Sequence, residues 1–149
     1  MGYYMRFIIG DGPEINLYLI ERALKAVDTG YHLARRDDAN EFADLMLGSD
    51  VYGELEVNRR ESELMQEELD ELGSEIEVLR TKSVQRVKSL LEISKAMVIL
   101  RVLSQGRTSE DTLEKIAPLW DFLFKDYSGL LYADGEGYYD AEGEVLMVT

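Results

Sequence analysis

Residues 61–95 read ESELMQEELDELGSEIEVLRTKSVQRVKSLLEISK. Met65, Leu69, Leu72, Ile76 and Leu79 recur at 4-3-4-3 spacing, which puts them on one face of a helix as a two-and-a-half-heptad seam. Val84, Val87, Leu91 and Ser94 continue at 3-4-3, with the phase shifted across 79–84. Charge divides at the same place. Residues 61–78 hold eight acids and no base, whereas 79–95 hold five bases and one acid. Two geometries fit. One straight helix over the stretch would run about 50 Å. That exceeds the ~38 Å width of a compact chain of this length, so the helix would project and need a partner. Alternatively the chain turns near Arg80–Ser83 and lays its acidic half against its basic half. Gly73 weakens the straight helix by about 1 kcal/mol relative to alanine, and the lack of Pro or Gly at 80–83 weakens the hairpin. In both geometries opposite charges meet along an apolar seam, within the chain or across a two-fold axis.

Towards the N-terminus, 3-YYMRFII-9 alternates as a strand with Tyr3, Met5, Phe7 and Ile9 on one face. A GDGP turn follows, with Pro13 suited to the first helical position. Leu17, Ile20, Leu24 and Val27 then form the buried stripe of an amphipathic helix, with Gly30 as a left-handed cap. Residues 31–35 and 51–57 read as the second and third strands. Past the central stretch, 97-MVILRVL-103 reads as a buried strand. Thr108 to Asp111 matches a capping box. Leu113, Ile116, Trp120, Leu123 and Tyr127 carry a last helix, which Pro118 should kink or divide. Segments 130–133, 137–140 and 144–148 read as short strands joined by Gly-containing turns.

The elements run β-α-β-β-(long α)-β-α, followed by the short strands of the tail. The expected fold is α+β, one domain over residues 1–149. It has a ferredoxin-like βαββαβ order through residue 103, with 61–95 as a long central helix or helical hairpin and 108–149 as a C-terminal α-plus-β-hairpin extension.

Composition narrows the chemistry. The 149 residues carry 30 acids against 16 Lys and Arg, a formal charge of −14. With no cysteine, disulfides, Cys-ligated zinc, Fe–S clusters and thiol nucleophiles are excluded. The one histidine, His32, excludes metal sites that need two imidazoles and leaves a single imidazole base. Apolar runs such as 96-AMVIL-100 fall far short of the roughly 20 residues of a membrane span. The expectation is a cytoplasmic protein without membrane association.

Candidate sites each have a plainer alternative. The tail 134-DGEGYYDAEGE-144 invites calcium, but an EF-hand loop begun at Asp134 would place Tyr139 at the glycine position and Val145 at the final glutamate. Acidic turns explain it better, with Asp134, Glu136 and Asp140 as a weak cation site; no cofactor is expected. GDGPE lacks the G-x-G-x-x-G spacing of a dinucleotide loop. Arg35-Arg36 and Arg59-Arg60 would close opposite ends of a hairpin, each with local acidic partners. His32, Trp120, Phe124, Tyr127 and Tyr132 could line an aromatic pocket between the sheet and the C-terminal helix. A surface this acidic opposes direct nucleic-acid binding.

The leading functional expectation is a non-catalytic, self-associating interaction module, a homodimer that also engages another protein. Its seam would comprise Met65, Leu69, Leu72, Ile76, Leu79, Val84, Val87 and Leu91. The alternatives are a small-ligand binder or enzyme using the aromatic pocket, and an acidic binder of a basic partner, or a DNA mimic.

Overall fold

The structure, a computed structural model, describes residues 3–37 and 41–148, the side chains of 35–37 excepted. The elements are β1 (Tyr3–Asp11), α1 (Leu17–Val27), β2 (Tyr31–Asp37), β3 (Phe42–Leu47), β4 (Asp50–Arg59), α2 (Glu63–Glu77), α3 (Ser83–Ile93), β5 (Ala96–Val102), α4 (Ser109–Asp126), β6 (Ser128–Ala133), β7 (Gly137–Asp140) and β8 (Gly143–Met147). The fold is α+β. All eight strands join one sheet in the order β2-β3-β4-β5-β1-β6-β7-β8, and every neighbouring pair is antiparallel.

This is not the ferredoxin-like order. The difference comes from residues 42–47, which the sequence reading leaves unassigned and which form β3. Gly48, at φ 63°, opens a two-residue turn into β4, the position that a tight hairpin reserves for glycine. One inserted strand reverses everything after it. β4 therefore returns antiparallel to β5 as its neighbour, instead of sending the chain across to the far side of β1. β2 and β4 both pair with β3 and so run parallel. The two arginine pairs thus close the same end of the sheet, not opposite ends. The side chains of Arg35 and Arg36 lie outside the described residues. Arg59 pairs with Glu41 at 2.6 Å and donates to the Ile15 carbonyl at 2.8 Å. Arg60 donates to the Leu91 and Ser94 carbonyls, at 3.0 and 2.9 Å, where α3 ends.

Two crossovers set the layers. β1–α1–β2 moves towards one edge, and β5–α4–β6 runs in the opposite sense towards the other. If both have the usual right hand, their helices fall on the same face. α1 and α4 do share one core, with Met5, Phe7, Leu55, Val98 and Leu100 of the sheet. The opposite face is left to α2 and α3, which pack on Ile8, Met97, Ile99, Leu130, Tyr138 and Leu146. β5 is buried on both faces, which accounts for its unbroken apolar run.

Between the two geometries open to residues 61–95, the structure has the turn: α2 ends at Glu77 and α3 begins at Ser83. Ser62 caps α2, its side chain accepting from the Met65 N–H at 3.1 Å. Thr108 caps α4 in the same way through Asp111. Two local expectations are corrected and a third is narrowed. α1 starts at Leu17 with Asn16 as its cap, not at Pro13, because the Asn16 carboxamide accepts from the Leu19 N–H at 2.9 Å. Asp28, not a left-handed Gly30, ends that helix, and the Asp28 carboxylate accepts the Gly30 N–H at 2.8 Å. α4 runs undivided past Pro118, held on both sides of it by buried Ile116, Leu119 and Trp120.

Candidate functional site

The apolar seam faces the sheet. Met65, Leu69, Leu72 and Ile76 of α2 and Val84, Val87 and Leu91 of α3 are all buried in the second core, with Leu79 partly buried against it. The ridge expected to meet another helix is therefore covered by strands of its own chain. The charges do not pair helix to helix either. Among the described residues, the one acid of 61–78 in an ion pair is Glu68, which meets Arg6 of β1 at 2.7 Å. On the basic side, Arg86 pairs with Asp140 and Lys95 with Asp11. The seam and the sheet explain why: packing α2 and α3 side by side on strands turns their charged flanks outward.

A polar layer lies beneath α2. The Arg6 guanidinium sits 5.9 Å from the centre of the Tyr132 ring, and the Tyr132 hydroxyl donates to Glu75 at 2.8 Å. Tyr138 packs on Tyr132 with ring centres 4.7 Å apart. Its hydroxyl is buried and has no hydrogen-bond partner. Burial first, then the nearby Tyr132 and Glu75, push the Tyr138 phenol well above its ordinary range. Burial and the bond to Glu75 do the same to Tyr132. A phenol that resists ionisation only in the folded state contributes stability that is intact below about pH 10 and is lost as the pH rises beyond it. Tyr138→Phe removes an unpaired buried hydroxyl, so it should raise stability at neutral pH by about 1 kcal/mol and flatten the alkaline fall. Urea unfolding near pH 7 and about pH 10.5 checks both parts; a loss of stability in the variant would mean that the hydroxyl has a partner after all.

The outer surface of α2 is anionic. Glu61, Glu63, Glu67, Asp70, Glu71, Glu75 and Glu77 are exposed, along a helix about 22 Å long. Helix stability accounts only for Glu63, in the first turn at the positive end of the dipole. Glu63 and Glu67, Glu67 and Glu71, and Glu71 and Glu75 are like charges four apart, each mildly repulsive. Glu75 and Glu77 sit at the negative end of the helix dipole, where no base offsets them. The buried seam holds the helix against its own charge.

The aromatic pocket expected from the sequence is not assembled. Trp120 and Tyr127 are buried in the α1–α4 core, and Phe124 packs against it edge-on to Phe7 at 5.0 Å. Tyr132 is on the other face of the sheet. His32, half-buried opposite Met46 on β2, is five strands from β6, about 24 Å away. The cation candidates are also dispersed. Asp134 and Glu136 sit in the turn before β7 and Asp140 at its far end. The Asp140 carboxylate is already occupied by the Glu142 and Gly143 N–H groups and Arg86, which hold it below the usual range. Among the described residues no three His, Asp or Glu side chains converge as metal ligands, and no helix is long and apolar enough to cross a membrane.

No protein-family model, curated protein or solved structure matches this chain. Any functional reading rests on the geometry alone. The polar layer is absent from the sequence reading, because Arg6, Tyr132 and Tyr138 come from three strands. The one available signal was Arg6 itself, a charge inside an apolar strand.

Proposed function

We propose that the protein is a non-catalytic interaction module that docks a basic partner through the exposed carboxylates of α2. The observation that carries this is the run of six exposed acids from Glu63 to Glu77 on α2, with Glu61 just ahead of them and none in an ion pair among the described residues, on a helix whose apolar face is already used. Such a strip attracts a lysine- or arginine-rich surface over a Debye length and favours it over neutral or acidic competitors. Beyond Glu63 in the first turn and the bond from Tyr132 to Glu75, these charges do nothing for the helix they sit on, and their density supports an external cationic contact. The same strip could take the place of a phosphate backbone on a DNA-binding protein, which is one kind of basic partner.

Fluorescence anisotropy with a labelled lysine-rich peptide tests the reading. Affinity should fall steeply between roughly 50 and 200 mM salt. Glu67→Lys with Glu71→Lys should weaken binding about tenfold or more, as expected for charge reversal at the centre of an electrostatic contact. Glu110→Lys with Glu114→Lys, on α4 across the sheet, should change it far less. Equal losses from the two double variants would mean that the peptide reads only net charge, and salt-indifferent binding would remove the electrostatic mechanism.

A further inference from the structure

We infer that a second copy of this chain docks on the groove between α1 and α4, so that the protein self-associates through the sheet face opposite α2. The inference does not depend on the basic-partner reading, because the two surfaces belong to separate cores on opposite sides of the sheet.

α1 and α4 run antiparallel, and a groove of about 690 Å³ opens between them, floored by Leu19, Ala23, Pro118 and Phe122. Val27 closes one end. The 3-4-3 stripe of α1 marks it as a core residue, yet it is 65% exposed. With Leu19, Ala23, Pro118 and Phe122 it forms one contiguous apolar patch, the kind of surface that contact sites use.

The rim says which partner fits. Arg22 of α1 and Asp121, Lys125 and Asp126 of α4 border the groove. Among the described residues none of the four has an ion pair or side-chain hydrogen bond within its own chain. Two charges of each sign suit an isologous contact, in which the patch meets its own copy and each cation faces the other copy's acids. A strongly basic or acidic foreign partner would call for a rim of one sign. Net charge selects the same face. At −14 per copy, two chains repel least where local charge cancels, and this groove is neutral, with the α2 carboxylates behind the sheet.

Sedimentation velocity on the full chain at about 150 mM salt tests this. The wild type should sediment at twice the chain mass in the micromolar range. Val27→Asp should raise the dissociation constant at least tenfold while costing the monomer no more than about 1 kcal/mol, the penalty of an acid in the last turn of a helix, since position 27 is outside the core. Lys125→Asp should weaken the dimer, and adding Asp121→Lys should restore it by returning the rim to two charges of each sign. Glu67→Lys with Glu71→Lys should leave the dimer intact. A wild type at single-chain mass, or a dimer indifferent to Val27→Asp, overturns the inference. If the monomeric protein still binds the lysine-rich peptide through α2, only the self-association is lost.

Discussion

Gly129→Ala is expected to destabilise the protein by about 3 kcal/mol or more, at or beyond the upper end of the usual cost of overpacking because the parts it meets cannot move. Gly129 lies in β6 opposite Ile9 of β1, beside the one irregularity in that pairing. A methyl group there would run into the carbonyl oxygen of Ile8 and come within 3.0 Å of the Phe7 ring. Neither neighbour can yield. Ile8 belongs to the central strand, hydrogen-bonded to β5 and β6, and Phe7 is fully buried against Phe124. The strain is relieved only by drawing β6 off β1, and β7 and β8 attach to the sheet through β6 alone. Since small domains hold only about 5–15 kcal/mol in total, the variant should be largely unfolded by modest urea. Trp120 fluorescence and far-ultraviolet circular dichroism should report that loss together. Gly73→Ala is the matched control. A methyl at that position of α2 meets nothing within 4 Å, so the substitution should raise stability by about 0.5–1 kcal/mol. Were Gly129→Ala as well tolerated as Gly73→Ala, the β1–β6 contact would be looser than described.

How much of this was legible in the chain depends on whether a feature is local. The helical period of 61–79 and 84–94, the alternation of 3–9, the unbroken run of 97–103 and the Thr108 cap are properties of neighbouring residues, and each marks a real element. β3 was passed over although 42-FADLML-47 is apolar at every position but Asp44, because it does not alternate, it lies behind a polar stretch and its turn is a single Gly-Ser pair. That omission reversed the direction of β4 and with it the sheet order. The covering of the seam was less accessible still. A 4-3-4-3 ridge looks the same whether it meets a helix or a sheet, and the deciding residues, Ile8, Met97, Leu130 and Tyr138, come from four different strands. The aromatic pocket failed for the same reason. Successive residues of β6 point to opposite faces, so Tyr132 could not join Trp120 and Tyr127, however close they are in sequence. The acidity of α2 needed no tertiary knowledge, and it is the feature on which the proposed function rests.

Leu72→Glu separates the two roles that its ridge could have had. If the seam were an intermolecular contact, the variant would be a folded monomer with its thermal midpoint preserved. In this fold Leu72 is 5% exposed in the second core, and the substitution should cost about 4 kcal/mol or more at neutral pH, from lost leucine burial together with a carboxylate forced into apolar surroundings. Among the described residues Arg6 is already engaged by Glu68 and Asp134, and the acids of α2 add repulsion. The loss relative to the wild type should therefore be the same at every protein concentration, with α2 leaving the sheet. The new carboxyl, pushed up by burial, would regain a proton in mildly acid solution. Stability lost at pH 7 should accordingly be partly recovered near about pH 5. Thermal melts of the variant at several concentrations and both pH values read all of this. Leu72→Met, which keeps volume and polarity, should stay within about 1.5 kcal/mol of the wild type. A folded Leu72→Glu variant at pH 7 would mean that α2 does not need the sheet, and the strands beneath it would have to be covered by something else.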